Sequence, residues 1–109
     1  MAYVVEFATF YLKKTVSRAE FMAASDKLNN EFLQKQRGYV SRKLLINGGM
    51  YCDYVLWETL DDAKTAVKNS QNDPAALAYI SKLIFNRKGC SFRHYLTEKE
   101  YCHNQFFNL

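Results

Sequence analysis

The sequence predicts an α+β domain in which helices cover one face of an antiparallel sheet. The chain has 109 residues, which is the size of one domain. Its apolar residues alternate between a period of two, which is typical of strands, and the spacing of an amphipathic helix. The connections between these segments are short, so neighbouring strands are expected to pair antiparallel.

The first half of the chain predicts a strand, a helix and a hairpin. Residues 3–12 are rich in β-branched and aromatic side chains and predict the first strand. Ser17 and Glu20 form a capping box, because each side chain can bond a free backbone amide of the other residue, and a helix is expected to follow. Residues 39–46 and 50–58 predict a hairpin, since the Asn-Gly-Gly run between them is typical of a tight turn.

The second half predicts two helical segments and a last strand. Thr59 begins the first of these helices, and Asp73 with Pro74 begins the second as cap and first helical residue. The apolar stripe of the second is expected to be Leu77, Ile80, Leu83 and Ile84. Residues 90–97 predict the final strand. The order β-α-β-β-α-(α)-β is that of the ferredoxin-like fold with a four-stranded antiparallel sheet. Residues 1–97 are expected to form this domain and residues 98–109 a C-terminal tail.

Both faces of the predicted sheet are apolar, although helices are available for only one of them. In the first strand, Val5 and Phe7 lie on one face while Ala8 and Phe10 lie on the other. A sheet with one face in water would alternate between apolar and polar residues. We therefore expect a second copy of the chain to cover the free face, which predicts a homodimer.

Several segments resemble the dimeric α/β-barrel superfamily, the group that contains the antibiotic-biosynthesis monooxygenase domains. They are residues 38–45, 53–58, 61–66 and 92–95. The resemblance implies a barrel formed by two ferredoxin-like chains. It also implies an activity like that of the cofactor-independent monooxygenases. The haem-degrading branch is not expected, because the first strand lacks its Asn and the helical segment from Pro74 lacks its His.

The hairpin predicts a charged pair beneath the helices. A two-residue loop sets the register as Arg42 opposite Val55, Leu44 opposite Asp53 and Val40 opposite Trp57. Arg42 and Asp53 then lie diagonally on one otherwise apolar face, within reach of each other. Because an unpaired buried charge is costly, the two side chains either form a structural ion pair or orient a ligand.

His94 is the second polar residue expected to point into an apolar layer. It alternates with Phe92 and Leu96, so it is either a core residue or an acid–base group that titrates near neutral pH. If it meets Asp53, the two would form a carboxylate–imidazole couple. The candidate catalytic residues are therefore His94 and Asp53. The candidate substrate-binding residues are Arg42, Trp57 and Tyr11, of which Trp57 also matches a strand-end Trp of the superfamily.

The functional prediction is a homodimeric enzyme or binder that holds a small carbonyl-bearing or aromatic molecule between sheet and helices. No cofactor or metal is expected, because no cofactor-binding motif appears and Cys102-His103 alone would be a poor metal site. The alternative is a non-catalytic homodimer whose barrel is filled by side chains, in a stress-related or scaffolding role. Such a barrel would leave no cavity of about 300 Å³.

Nucleic acid and membranes are not expected as partners. The third strand lacks the glycine and basic residues of the RNA-recognition segment, and the 15 basic residues are spread along the chain. No apolar run approaches the length of a membrane-spanning helix. The N-terminus does not resemble a signal peptide and the three cysteines form no CxxC, so a cytoplasmic location with reduced thiols is expected.

Overall fold

The computed structural model describes residues 2–103 and confirms the α+β, ferredoxin-like fold. Its strands are β1 (Val4–Leu12), β2 (Tyr39–Asn47), β3 (Met50–Trp57), β4 (Leu83–Ile84) and β5 (Ser91–Leu96). Its helices are α1 (Arg18–Glu31), α2 (Leu60–Ser70) and α3 (Pro74–Ile80), with a short 3₁₀ turn (Leu33–Lys35) after α1. Of the expected tail, residues 98–103 are described and have no regular secondary structure, while Phe106 and Phe107 lie outside the described residues. Between residues 2 and 103, no helix is long and apolar enough to span a bilayer.

The sheet is antiparallel and has four positions across its width. The strand order is β2-β3-β1, and the other edge of β1 is shared by β5 and β4, which lie end to end. β5 pairs with residues 4–9 of β1, and β4 pairs with Tyr11 and Leu12. The predicted four-stranded sheet is thus extended by one short strand segment.

The end of α3 differs from the sequence prediction. The helix ends at Ile80, and its buried residues are Ala75, Ala76 and Tyr79, whereas Leu77 and Ile80 are 47% and 37% exposed. The predicted apolar stripe is therefore wrong. Leu83 is buried as part of β4, where the backbone pairs with the open edge of β1 and gains hydrogen bonds that a longer helix would not make.

The hairpin register is confirmed in its central part and shifted at its open end. Arg42 lies opposite Val55 and Leu44 lies opposite Asp53, as predicted. Gly48 takes the positive φ of 62° that a tight hairpin turn requires. The expected pairing of Val40 with Trp57 is wrong, because a β-bulge inserts Val40 between two paired residues and Trp57 lies opposite Tyr39 instead.

The hydrophobic core lies between the helices and one face of the sheet. It is centred on aromatic rings: Phe21 of α1 lies 4.8 Å from Tyr51 and 5.4 Å from Tyr79, measured between ring centroids. Trp57, Phe10 and Phe21 are the most deeply buried large side chains of the described residues. α1 begins where predicted, since Ser17 caps it through the complete capping box. These contacts hold the helices over the sheet.

The opposite face of the sheet is apolar but lies outside this core. Val5, Phe7, Tyr54 and Leu56 point to it and are half-buried, and none belongs to the core cluster. On the same face, Leu45 and Tyr95 are 43% and 49% exposed. The two-sided apolar character of the sheet therefore agrees with the sequence prediction.

Candidate functional site

A cavity of about 510 Å³ lies between the sheet and the three helices. This volume is within the range of small-molecule binding sites. Most of its wall is apolar, and its larger apolar side chains are Phe10, Leu28, Phe32, Leu33, Val67 and Leu83. The site therefore offers mainly dispersion contacts to a ligand.

Small residues on three elements leave this space open. Ala8 of β1, Ala66 of α2 and Ala76 of α3 all line the cavity. Ala66 and Ala76 are buried, with 4% and 1% exposure, so neither helix fills the space beneath it with a large side chain. The small residues on this face of α2 therefore leave room for the cavity.

Exposed aromatic and aliphatic side chains surround the opening of the cavity. Phe85 and Phe92 line it and are 52% and 53% exposed, and Ile80 is 37% exposed. Large apolar groups that reach both a cavity and the solvent are typical of a ligand entrance.

Arg42, Asp53 and Tyr79 form a closed hydrogen-bonded triad on the sheet wall. Arg42 Nε donates to Asp53 Oδ1 at 2.8 Å, and the Tyr79 hydroxyl donates to Asp53 Oδ2 at 2.7 Å. Arg42 Nη2 donates to the Tyr79 hydroxyl at 3.1 Å, and Nη1 donates to the backbone carbonyl of Ser25 at 3.3 Å. Asp53 and Tyr79 line the cavity, whereas Arg42 supports them from behind.

The electrostatics of the triad fix its protonation. Burial by itself lowers the pKa of Arg42, but the nearby Asp53 and Tyr79 outweigh burial, and the net pKa of Arg42 is raised. Burial, followed by the charge of Asp53, raises the pKa of the Tyr79 phenol well above its ordinary value. Tyr79 therefore stays a neutral donor to Asp53 at neutral pH, and Arg42 stays charged.

A second polar pair lies beside the triad. Glu6 of β1 lines the cavity, and its Oε1 lies 3.0 Å from His94 Nε2 on the neighbouring strand β5. Burial raises the pKa of Glu6, and the charge of Asp53 raises it further, while the hydrogen bond and charge of His94 lower it. The net pKa of Glu6 is raised, so this carboxyl titrates closer to neutral pH than an exposed one.

The indole of Trp57 lies beside this pair. Its Nε1 is buried and makes no close hydrogen bond among residues 2–103. The indole N–H lies near enough to Glu6 to lower the pKa of that carboxyl. This buried donor therefore acts on Glu6.

The predicted site residues fall into three groups. Asp53 and Trp57 line the cavity. Arg42 and His94 lie one contact behind it, through Asp53 and Glu6 respectively. Tyr11 lies away from the cavity lining, and its ring stacks under the guanidinium of Arg87 at 4.0 Å.

The couple of His94 and Asp53, which the sequence left open, is replaced by a different pairing. His94 contacts the carboxyl of Glu6, because β5 pairs with β1 and places the two residues directly opposite each other. Asp53 already uses both oxygens for Arg42 and Tyr79. In residues 2–103, no three His, Cys, Asp or Glu side chains gather in a way that could hold a metal ion.

Two residues of the site, Glu6 and Tyr79, were absent from the sequence-based candidates. The sequence does contain a signal for Glu6, since it is the only charged residue of its strand. Tyr79 gave no signal, because its position in α3 was obscured by the wrong apolar stripe of that helix.

Solved structures with the same architecture include three proteins of the monooxygenase type. SnoaB, a cofactor-independent oxygenase from Streptomyces nogalater, matches with 20% identity and a TM-score of 0.66 over 94% of this chain and 97% of its own. A proposed antibiotic biosynthesis monooxygenase from Bordetella bronchiseptica matches with 15% identity and a TM-score of 0.69 over 94% and 100%. Another from Caulobacter crescentus CB15 matches with 15% identity and a TM-score of 0.68 over 90% and 92%.

The chain shares the ferredoxin-like fold of these three proteins. The similarity covers nearly the whole of each chain, so the ferredoxin-like fold expected for the single chain is confirmed. No protein-family model matches the sequence, and no curated protein matches it either. A shared fold does not determine activity, so the function has to be argued from the site.

Proposed function

We propose that this chain is a cofactor-independent oxygenase that acts on a small aromatic molecule with a carbonyl group. The observation that supports this most is the cavity of about 510 Å³, which is apolar except for a polar sheet wall. A barrel filled by side chains would leave no cavity of about 300 Å³, so a cavity of this size favours a ligand-binding role. The fold shared with SnoaB, a cofactor-independent oxygenase, supports the reaction class.

The cavity wall suits an aromatic carbonyl compound. Rings such as those of Phe10 and Phe32 would contact its flat faces. Asp53 would orient the ligand as an acceptor whose charge is balanced by Arg42. The substrate itself supplies the electrons: an activated CH₂ group becomes a carbonyl, one oxygen atom of O₂ enters it, and the other leaves as water.

We also propose that the working form is a homodimer that buries the apolar sheet face. Half-buried and exposed apolar side chains cover this face, among them Phe7, Leu45 and Tyr95. A second copy would remove them from water through the same patch on both chains. The cavity lies on the other side of the sheet and needs no residue of the second chain.

Oxygen uptake tests the proposed reaction. The probe is anthrone, a three-ring ketone with an activated CH₂ group, in buffer containing a metal chelator. We expect oxygen consumption above the buffer rate with anthraquinone as product. Val67→Phe, which places a ring in the cavity, should abolish it, while Val40→Phe, outside the cavity lining, should not. A rate equal to that of buffer, or equal rates for both variants, would contradict the proposal.

A further inference from the structure

Glu6 is a cavity carboxyl that the proposed reaction leaves without a role. It lines the cavity from β1, and its side chain is 13% exposed. His94 occupies one of its oxygens, Oε1, at 3.0 Å. A carboxylate can accept about four hydrogen bonds. Glu6 therefore keeps acceptor capacity for a group inside the cavity.

Glu6 and Asp53 differ in the charged and titratable groups that surround them. Asp53 is held by the permanent cation of Arg42 and by the Tyr79 phenol, so its charge is matched. Glu6 has the titratable imidazole of His94 as its partner and Asp53 as a nearby like charge. Of the two cavity carboxyls, Glu6 is therefore the one whose charge is not matched by a permanent cation.

The free acceptor capacity of Glu6 favours a ligand group that donates a hydrogen bond. A hydroxyl is such a group. An anionic carboxylate ligand, in contrast, would be repelled by Glu6. The indole of Trp57 lies beside Glu6 but is only 1% exposed, so it acts on this carboxyl rather than on a ligand.

We propose that Glu6, positioned by His94, accepts the proton of a phenol or enol hydroxyl on the ligand. In this step the ligand O–H bond breaks, its electron pair stays on the ligand oxygen, and a new O–H bond forms on the Glu6 carboxyl. Glu6 is then a catalytic residue and His94 a positioning residue. The inference rests on the proposed function, because it uses the same cavity as the ligand site.

A matched pair of coumarins tests the role of Glu6. 7-Hydroxycoumarin offers an acidic hydroxyl, and 7-methoxycoumarin has the same ring and carbonyl without that proton. At a pH where Glu6 is ionised, we expect the wild-type chain to bind the hydroxyl compound about tenfold more tightly, as for hydrogen bonds to charged groups. Glu6→Gln should bind the two compounds within about threefold of each other.

The outcomes separate this inference from the proposed function. Equal affinity of the wild-type chain for both coumarins, or an unchanged tenfold preference in Glu6→Gln, would overturn the role of Glu6 alone. Failure of the wild-type chain to bind either compound would overturn the ligand site and this inference together. Far-ultraviolet circular dichroism checks that Glu6→Gln is folded.

The pH dependence of the same preference tests His94. Contact with His94 lowers the pKa of Glu6, so its removal raises that pKa further. His94→Gln should therefore show the hydroxyl preference only at a higher pH than the wild-type chain does. A preference that begins at the same pH in both would show that His94 only fills space, and would overturn its positioning role.

Discussion

Arg42 Nε and Asp53 Oδ1 lie 2.8 Å apart on neighbouring strands, with side-chain exposures of 7% and 11%. The two residues belong to a short hairpin, so local pairing alone brings them together. The Tyr79 hydroxyl, from a helix above the sheet, closes the triad. This relationship turns an apolar sheet face into a cavity wall with one oriented carboxylate.

The first prediction concerns the buried charge of this pair. Arg42→Met leaves Asp53 buried without its cation and should lower the free energy of unfolding by about 3 kcal/mol. The double variant Arg42→Met with Asp53→Leu removes both charges and should be more stable than Arg42→Met alone. Urea unfolding of wild type, Arg42→Met and the double variant measures both effects. A double variant less stable than Arg42→Met would contradict the ion-pair interpretation.

The second prediction concerns the Tyr79 hydroxyl. Tyr79→Phe leaves Asp53 without one donor in a buried setting, so it should cost about 2 kcal/mol of unfolding free energy. Tyr39→Phe is the matched control, because its hydroxyl donates to Asn29 Oδ1 at 2.8 Å in a half-buried position. The control should cost below about 1 kcal/mol. Equal losses of unfolding free energy in the two variants would show that the triad hydrogen bond stabilises the fold no more than an ordinary one.

The third prediction uses the raised pKa of Glu6. The folded chain holds the proton of Glu6 to a higher pH than the unfolded chain, whose value is near 4.5. The stability that this group contributes is thus fully present below pH 4.5. It is lost as the pH rises through the higher pKa of the folded chain. Glu6→Gln lacks this loss, so its unfolding free energy relative to wild type should increase from about pH 4 to pH 8.

The control for the imidazole compares the double variant Glu6→Gln, His94→Gln with the single variant His94→Gln. Because His94 lowers the pKa of Glu6, the increase should be larger without it. Urea unfolding at a series of pH values measures both differences. A flat difference between Glu6→Gln and wild type would contradict the raised pKa.

The fourth prediction concerns the uncovered sheet face. Leu45→Lys places a charge on this face and should convert the proposed dimer to a monomer with its fold retained. Leu77→Lys is the matched control, since Leu77 is similarly exposed but lies on α3 in the helix layer. Light scattering after size-exclusion chromatography measures the mass, which should be twice 12.7 kDa for wild type and for the control. A wild-type mass of 12.7 kDa would contradict the dimer.

Local patterns explain what the sequence could predict. The capping box at Ser17 and the Asn-Gly-Gly turn each act within a few residues, so α1 and the hairpin are visible in the sequence. The Arg42–Asp53 contact follows from that same turn. The order of elements then leaves few topologies, and the ferredoxin-like fold is the simplest of them.

Long-range contacts explain what the sequence could not predict. Glu6 and His94 are 88 residues apart and meet only because β5 pairs with β1 in one particular register. Tyr79 reaches Asp53 only because α3 ends early and turns its alanine face and this tyrosine inward. α3 ends where it does because Leu83 and Ile84 pair as a strand with the open edge of β1. At these residues, strand pairing prevails over the apolar spacing that favours a longer helix.

Native mass spectrometry with 7-hydroxycoumarin tests the ligand site most directly. For wild type, we expect a dimer of 12.7 kDa chains that carries one probe molecule per chain. Val67→Phe should give the same dimer without the probe, because the added ring occupies the cavity. A wild-type chain that carries no probe, or a Val67→Phe chain that carries as much as wild type, would contradict the claim that this cavity binds a ligand.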